Sequence, residues 1–391
     1  MPHDFRVLCA ASEQWLSLAQ VPRMLHRAGA HVTFLGPAGA WPLRGSFVDR
    51  WVRAEGKAEA VARVLGAHLT DARPYDWIIL GDDSLLAAVG ARRDEPWTRA
   101  ALPLEPDDVR RGLLGSKLGF VTAAAALGLP IPRSLVCRGE QEIREALDTF
   151  DGPALIKEDG PSGGEGCHAL TRTGAVPARL RAEAVVVQAL VQGPTIAVEA
   201  LYDRGQLRFA LTSTIERTWP PPFGVSALRR FSHDATALAL TEDLGRTVGI
   251  HGFANLTMLR DPSTGRTLLI ELDLRPNALF HLGAVLGVDL TPSLRALLER
   301  RPPEPVRHLA VDVDARVPIY PVDVIRSVLQ RDWRALASWL TDSDDRWRSI
   351  PPDDPRLARA YLGHIVRQIV RQTLRDDRAA RTPRAVLASP A

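Results

Sequence analysis

Short apolar runs alternate with amphipathic stretches along the N-terminal part of the chain, the pattern of strands laid beside helices. Arg6–Ala10 reads as a strand, Glu13–Ala28 as an amphipathic helix closed by Gly29, and His31–Leu35 as a second strand; Lys57–Leu69 and Trp77–Leu80 repeat the helix and the strand. Residues 1–112 are thus expected to form a small open parallel α/β unit. Its first turn, Ala10-Ala11-Ser12-Glu13, lacks the spaced glycines that a dinucleotide pyrophosphate requires, so no cofactor is assigned to it. Asp82 and Asp83 follow the third strand, where ligand-contacting loops of such sheets lie. An Asp pair there serves equally as the N-cap of a helix over Ser84–Val89.

Near Leu113 the periodicity changes. Ser116–Leu127 reads as a helix, Gly128–Ser134 as a proline-fixed turn, and Leu135–Phe150 as a strand–helix unit. Ala184–Leu190, Thr195–Tyr202 and Gln206–Thr212 are strand-like runs separated by Gln-Gly-Pro and Asp-Arg-Gly turns, as an antiparallel sheet needs. From about Arg300 helical periods take over, with Asp323–Leu340 and Leu357–Leu374 as helices and Arg381–Ala391 as a frayed tail. The class is α/β and α+β, in three units: 1–112, 113–300 (lobes 113–190 and 191–300) and 301–391.

Composition narrows the function. At 391 residues, 46% hydrophobic and 24% charged, the chain is globular and long enough for more than one core. Forty-nine Lys and Arg stand against 46 Asp and Glu, a formal charge of +3, which argues against a nucleic-acid or membrane partner. Cys9, Cys137 and Cys167 form no CxxC pair, and no apolar run has the length of a signal core or a bilayer span, so a reducing, cytoplasmic setting is expected. There is no GxxxxGK[ST] loop and no HExxH pair. A homodimer is compatible with these features.

Two segments carry candidate chemistry. In Ala154–Leu170 an apolar strand ends on Lys157 and enters a loop with Gly160, Gly163, Gly164 and Gly166. Backbone N–H groups in such a loop can curl around anionic oxygens while the lysine supplies a point charge; a plain glycine-rich hairpin has the same composition. In Thr267–Asn277, Leu268, Ile270, Leu272 and Leu274 fall on one face, and Glu271, Asp273 and Arg275 on the other. Two carboxylates at that spacing can share a divalent cation beside an arginine that holds a phosphate oxygen, or form an ordinary polar face. The preceding strand carries Asn255 and Thr257 opposite Ala254, Leu256 and Met258, and the turn Asp261–Gly265 joins the two as a hairpin. Should their polar faces coincide, Asn255 and Thr257 line the same site as Glu271 and Asp273.

The order of these parts resembles the ATP-grasp family. Gly115-Ser116-Lys117 is followed by Gly128-Leu129-Pro130-Ile131-Pro132, the strand ending in Lys157 with its glycine loop, Val185–Gly193, Glu199, and finally Gly252–Met258 and Leu268–Pro276. The resemblance covers Leu113 to about Leu290, and residues 1–112 resemble the Rossmann-like preATP-grasp domain that usually precedes a two-lobed ATP-grasp fold. It implies ATP and Mg²⁺ as cofactors and phosphorylation of a carboxylate to an acyl phosphate, which an amine then attacks. Lys117 and Lys157 would hold the phosphates, with Lys157 and Arg275 in catalysis. Ser162, Gly163 and Gly164 would close over the nucleotide; Gln188, Ala189, Leu190 and Val191 would flank the adenine, and Glu199 the ribose. Glu271 and Asp273 would hold the metal, Asp273 standing where the family usually carries asparagine.

The chain departs from that pattern at Thr257, where relatives with a similar hairpin commonly carry an acidic residue. Threonine is a poor metal anchor. Asp273 supplies compensating charge, one metal binds instead of two, or catalysis is weakened; nucleotide binding without turnover and a bicarbonate-dependent carboxylase or carbamoyl-forming enzyme are the alternatives. Cys167, beside the loop, reads as a small buried filler. The acceptor side is expected among Arg217–Asp234 and Asn277–Gly283, with Arg229 or Arg230 pairing a substrate carboxylate and His281 assisting at the amine, as expected for small-molecule carboxylate and amine substrates.

Overall fold

A computed structural model describes residues 4–160, 164, 166–341 and 350–381. The N-terminal sheet is parallel, built from β1 (Phe5–Ala10), β2 (Ala30–Gly36), β3 (Arg50–Arg53) and β4 (Trp77–Leu80) in the order β3-β2-β1-β4. β1, β2 and β4 are buried on both faces, while the edge strand β3 is largely exposed. Leu8, Ala10 and Leu80 pack with Val61 and Leu65 of the helix Ala58–Asp71, and Val7, Cys9 and Phe34 with Met24 and Leu25 of the helix Val21–Arg27, as the helix-covered faces of a parallel sheet require. The helix expected over Glu13–Ala28 is shorter. A 3-10 turn at Leu16–Leu18 precedes a helix that starts at Val21, with Pro22 in its first turn, because proline lacks the N–H a helix interior would need. Asp82 caps the helix Asp83–Gly90 by accepting from Leu85 N at 2.8 Å.

The next unit holds two sheets. The smaller comprises β5 (Ser134–Arg138), β6 (Ala154–Glu158), β7 (Cys167–Leu170) and β8 (Ala184–Ala189), in the order β5-β8-β6-β7 with antiparallel neighbours. One face, with Ile156, Val185 and Val187, packs on Ile143 and Leu147 of the helix Gly139–Asp148. Leu155 is opposite Gln188 and Lys157 opposite Val186, so Lys157 and Gln188 share the other face. The larger sheet is made of β9 (Thr195–Asp203), β10 (Gln206–Trp219), β11 (Val225–Ser232), β12 (Gly252–Arg260), β13 (Thr267–Asp273), β14 (Arg307–His308) and β15 (Asp314–Pro318). Its order is β13-β12-β9-β10-β11-β15, with β14 against β10.

Three expectations change here. The strand expected over Gln206–Thr212 runs on to Trp219 and turns into β11, so most of Arg217–Asp234 is a hairpin rather than a segment between strands. The stretch after Arg300, expected to be helical, opens with β14 and β15, which extend the large sheet. The helical span Asp323–Leu340 is two helices, Val322–Leu329 and Trp333–Thr341, broken near Arg331, whose φ is 54°. The second expected helix lies within Pro355–Arg381; the tail beyond Arg381 falls outside the described residues.

Candidate active site

The hairpin register settles the question left by the sequence. Thr257 is opposite Glu271 and Asn255 opposite Asp273, so the four side chains share a face of the large sheet. On the other side of β12, Asn255 is paired with Glu199. Glu199, Asn255 and Asp273 therefore form a row across three strands. One step inward on the same face, Leu201 and Phe253 enter an apolar cluster with Cys9 and Phe34 of the N-terminal sheet; one step outward, Glu271 is exposed.

Opposite this face stands Lys157. Its Nζ donates to the Ile270 carbonyl at 3.3 Å, which ties the small sheet to β13 next to Glu271. Desolvation pushes the Lys157 ammonium below its usual range, the Glu271 charge opposes this, and Lys117 adds to it. Lys117 begins the helix Lys117–Ala126, where Ser116 caps Gly119 N at 2.9 Å. Asp159, two residues past Lys157, accepts from Ser116 Oγ and Leu118 N at 3.1 Å each. The root of the glycine loop is thereby latched to the helix that carries Lys117. Sequence reasoning missed Asp159, although its place between Lys157 and Gly160 was visible.

Within the loop, Gly164 has φ +80°, and a Cβ there would lie 1.9 Å from the Phe223 carbonyl. Only glycine fits against the β10–β11 turn at this point. Ser162 and Gly163 lie outside the described residues. Burial raises the Cys167 thiol above its usual range, with Lys157 opposing, so the thiol stays protonated at neutral pH.

At the small-sheet edge, Gln188 is buried and donates to Ser134 Oγ at 2.8 Å. The Ala189 and Leu190 amides serve the Arg133 and Pro153 carbonyls, so these two N–H groups hold the fold. Val191 follows in the connection from β8 to β9.

The charged end of β13 is joined by the N-terminal domain. Arg275 donates to both oxygens of Asp83 at 2.7 Å each and lies 3.2 Å from Asp273, with its guanidinium 5.1 Å from the centre of the Trp15 ring. The Asp pair thus divides its work: Asp82 caps and Asp83 crosses to Arg275. Burial works against the charge on Arg275, but Asp273 and Asp83 hold its pKa well above the usual range. Asp273 is pushed up to about 8 by desolvation, with Arg275 opposing and Glu271 and Asp83 adding to the rise.

Among the described residues no group of three or more His, Cys, Asp and Glu side chains is placed to hold a metal ion. Two carboxylates on one face, with the buried and unpartnered Asn255 Oδ1 beside them, nevertheless fit a magnesium ion that keeps several waters. A cation there would offset the desolvation, and the lesser crowding of negative charge, that raise Asp273.

The remaining candidates separate. Arg229 is buried and donates to Glu199 Oε1 at 2.7 Å and Ser226 Oγ at 2.9 Å. Arg230 alternates to the other face of β11 and pairs with Asp314 at 3.2 Å and Glu216 at 3.6 Å, away from Glu199. His281 borders a small cavity with Arg23, Arg27 and Asp289. A second cavity runs along the free edge of β4 and touches Arg275, but not Lys117, Lys157, Glu271 or Asp273. Lys117, Lys157, Glu271, Asp273 and Arg275 influence one another's charge where the small sheet meets β13. Asn277, which donates to Glu199 Oε1 at 2.9 Å, was reached in the sequence only as part of a bordering segment.

No protein-family model matches the sequence. Over 151 residues, 38% of this chain, it is 30% identical to a phosphoribosylamine–glycine ligase of Streptomyces coelicolor, and the matched part spans 34% of that relative's length. Among solved structures it is similar to N5-carboxyaminoimidazole synthetase from Staphylococcus aureus complexed with ADP, with a TM-score of 0.64 and 13% identity over 86% of this chain and 88% of that one. It is also similar to L-amino acid ligase from Bacillus licheniformis, with a TM-score of 0.54 and 17% identity over 76% of this chain and 75% of that one. The chain has the ATP-grasp fold, with a Rossmann-like domain before it and helices after it. Among the described residues no helix is long and apolar enough to cross a membrane.

Proposed function

We propose that the protein is an ATP- and Mg²⁺-dependent ligase that joins a small-molecule carboxylate to an amine. The observation that carries this reading is the meeting of Lys157 with β13: its Nζ on the Ile270 carbonyl ties the small sheet to the large one and brings a half-buried ammonium beside Glu271. When bound, ATP supplies the phosphoryl group that turns the carboxylate into an acyl phosphate open to the amine. Phosphoryl transfer asks little covalent chemistry of side chains; it asks for position, neutralised charge and exclusion of water.

Lys117 and Lys157 neutralise phosphate oxygens from one lobe. Glu271 and Asp273 hold the metal from the other, with Thr257 adding no charge. Arg275 serves the transferring phosphoryl group once it exchanges part of its contact with Asp83. The loop around Gly164 excludes water, Gln188 and Ala189–Val191 flank the adenine, and Glu199, on the large sheet beyond them, borders either the ribose or the acceptor. The carbon–nitrogen ligases among the similar proteins support the reaction class, and the ADP held by the Staphylococcus aureus structure supports the nucleotide.

The test is ADP release and hydroxamate formation when hydroxylamine is supplied with a panel of amino and sugar acids. Hydroxamate with at least one acid is the expected result. ATP binding with no turnover on any acid would sink the ligase reading in favour of a binding protein, and ADP release dependent on bicarbonate would move it to a carboxylase, the activity named for biotin carboxylase of similar fold.

A further inference from the structure

Glu199 is a carboxylate taken almost wholly out of water, with 1% of its surface exposed, and its two oxygens are used unequally. Oε1 accepts from Arg229 Nη1 at 2.7 Å and from Asn277 Nδ2 at 2.9 Å. Among the described residues no donor reaches Oε2. One strand over, in register, Asn255 is 8% exposed. Its Nδ2 faces the Arg275 carbonyl at 2.5 Å, so a flipped amide would set oxygen against oxygen, and its Oδ1 also has no donor among the described residues. A buried acceptor left without a donor keeps its desolvation penalty unrepaid, the more so when it is charged. Two of them on neighbouring residues of one face mark a place built for something that donates.

The chemistry of the missing group follows. Arg229 already balances the charge of Glu199, so what is lacking is N–H or O–H donors. A phosphate or carboxylate brings only more acceptors, and a hydroxyl brings a single donor. A primary amine or ammonium carries two or three donors on one atom, enough in number for both oxygens. Asp273, in register with Asn255, sets this point beside the residues proposed for metal and phosphoryl transfer.

We propose that Glu199 Oε2 and Asn255 Oδ1 form the subsite that holds the primary amine of the acceptor, with Arg229 and Asn277 as positioning residues that fix Glu199. The amine's role as nucleophile rests on the ligase reading; its binding at this point does not.

Glu199→Gln tests the subsite through the polarity of one atom. Because Oε1 faces two donors, the Gln oxygen must take that place, and its NH₂ then stands where Oε2 stood, donor against donor. With glycine and other simple amino acids as amine probes, the amine KM is expected to rise about tenfold or more, equivalent to about 1.4 kcal/mol, with little change in the KM for ATP. An unchanged amine KM overturns the proposal, as does a rise confined to the KM for ATP, which would return Glu199 to the nucleotide.

Should the variant fail to fold, the wild-type protein decides through thermal unfolding in ethylammonium chloride against tetramethylammonium chloride at equal ionic strength. A higher midpoint in ethylammonium alone supports the subsite; equal midpoints overturn it. Binding of ethylammonium without any hydroxamate formation would keep the subsite and lose the ligase reading. The reverse pair of results would lose the subsite alone.

Discussion

Two buried ionic clusters in this molecule are finished to different degrees. In the C-terminal region Asp323 and Arg326 are 2% and 3% exposed, and each of their polar ends is used. Asp323 accepts from Arg326 Nε at 2.8 Å and from Trp339 Nε1 at 2.9 Å, while Arg326 also reaches Gln330, Asp332 and Ser327. On the large sheet, Glu199 Oε2 and Asn255 Oδ1 have no donor among the described residues, and Asp273 is held out of its usual pKa range. Burial alone does not separate the two. The C-terminal cluster has its polar ends paired and supports the fold, whereas the Glu199–Asn255 row keeps open valences that a ligand or cation completes.

The contrast is broken most sharply at Glu271. Glu271→Gln is expected to lower ADP release about a thousandfold, from loss of metal support to the phosphoryl group, with stability within about 0.5 kcal/mol of wild type because the side chain is exposed. Unchanged activity would end the metal role. Asp323→Ala should do the opposite. It leaves buried Arg326 with Asp332 as its remaining carboxylate partner, and urea unfolding should show a loss of about 3 kcal/mol, with the KM for ATP of the folded fraction unchanged.

Asp273→Asn gives the smallest and most informative effect. The folded-state pKa of Asp273 is raised, to about 8, so the folded protein holds a proton that the unfolded chain releases. Its contribution is fully present below the unfolded value, near 4, and is lost as pH rises through about 8. In metal-free buffer the variant should therefore gain stability over wild type as pH climbs across that window. A pH-independent difference would show that Arg275 already neutralises Asp273. Added Mg²⁺ should narrow the gap by stabilising wild type.

Much of the site was legible in the chain because its residues lie on regular strands. Period two put Glu271 with Asp273 and Asn255 with Thr257, and the turn Asp261–Gly265 made the hairpin. The acceptor side was harder to read. Arg229 and Arg230 are equivalent in sequence, yet only their position on β11 sends one inward to Glu199 and the other outward to Asp314. His281, close in sequence to Asn277, lines a small cavity with Arg23 and Arg27 instead.

The sequence by itself determined the local elements, the order of lysine, glycine loop and acidic strand, and the family pattern these make, because strand alternation and turn chemistry are short-range properties. Tertiary structure alone decided what crosses between units. Asp83 meets Arg275 across 192 positions, and Asn277 meets Glu199 across 78; no periodicity encodes such pairs. They arise only when the N-terminal sheet and the large sheet bury a common apolar layer, which fixes the charged row beside it and leaves two of its oxygens open.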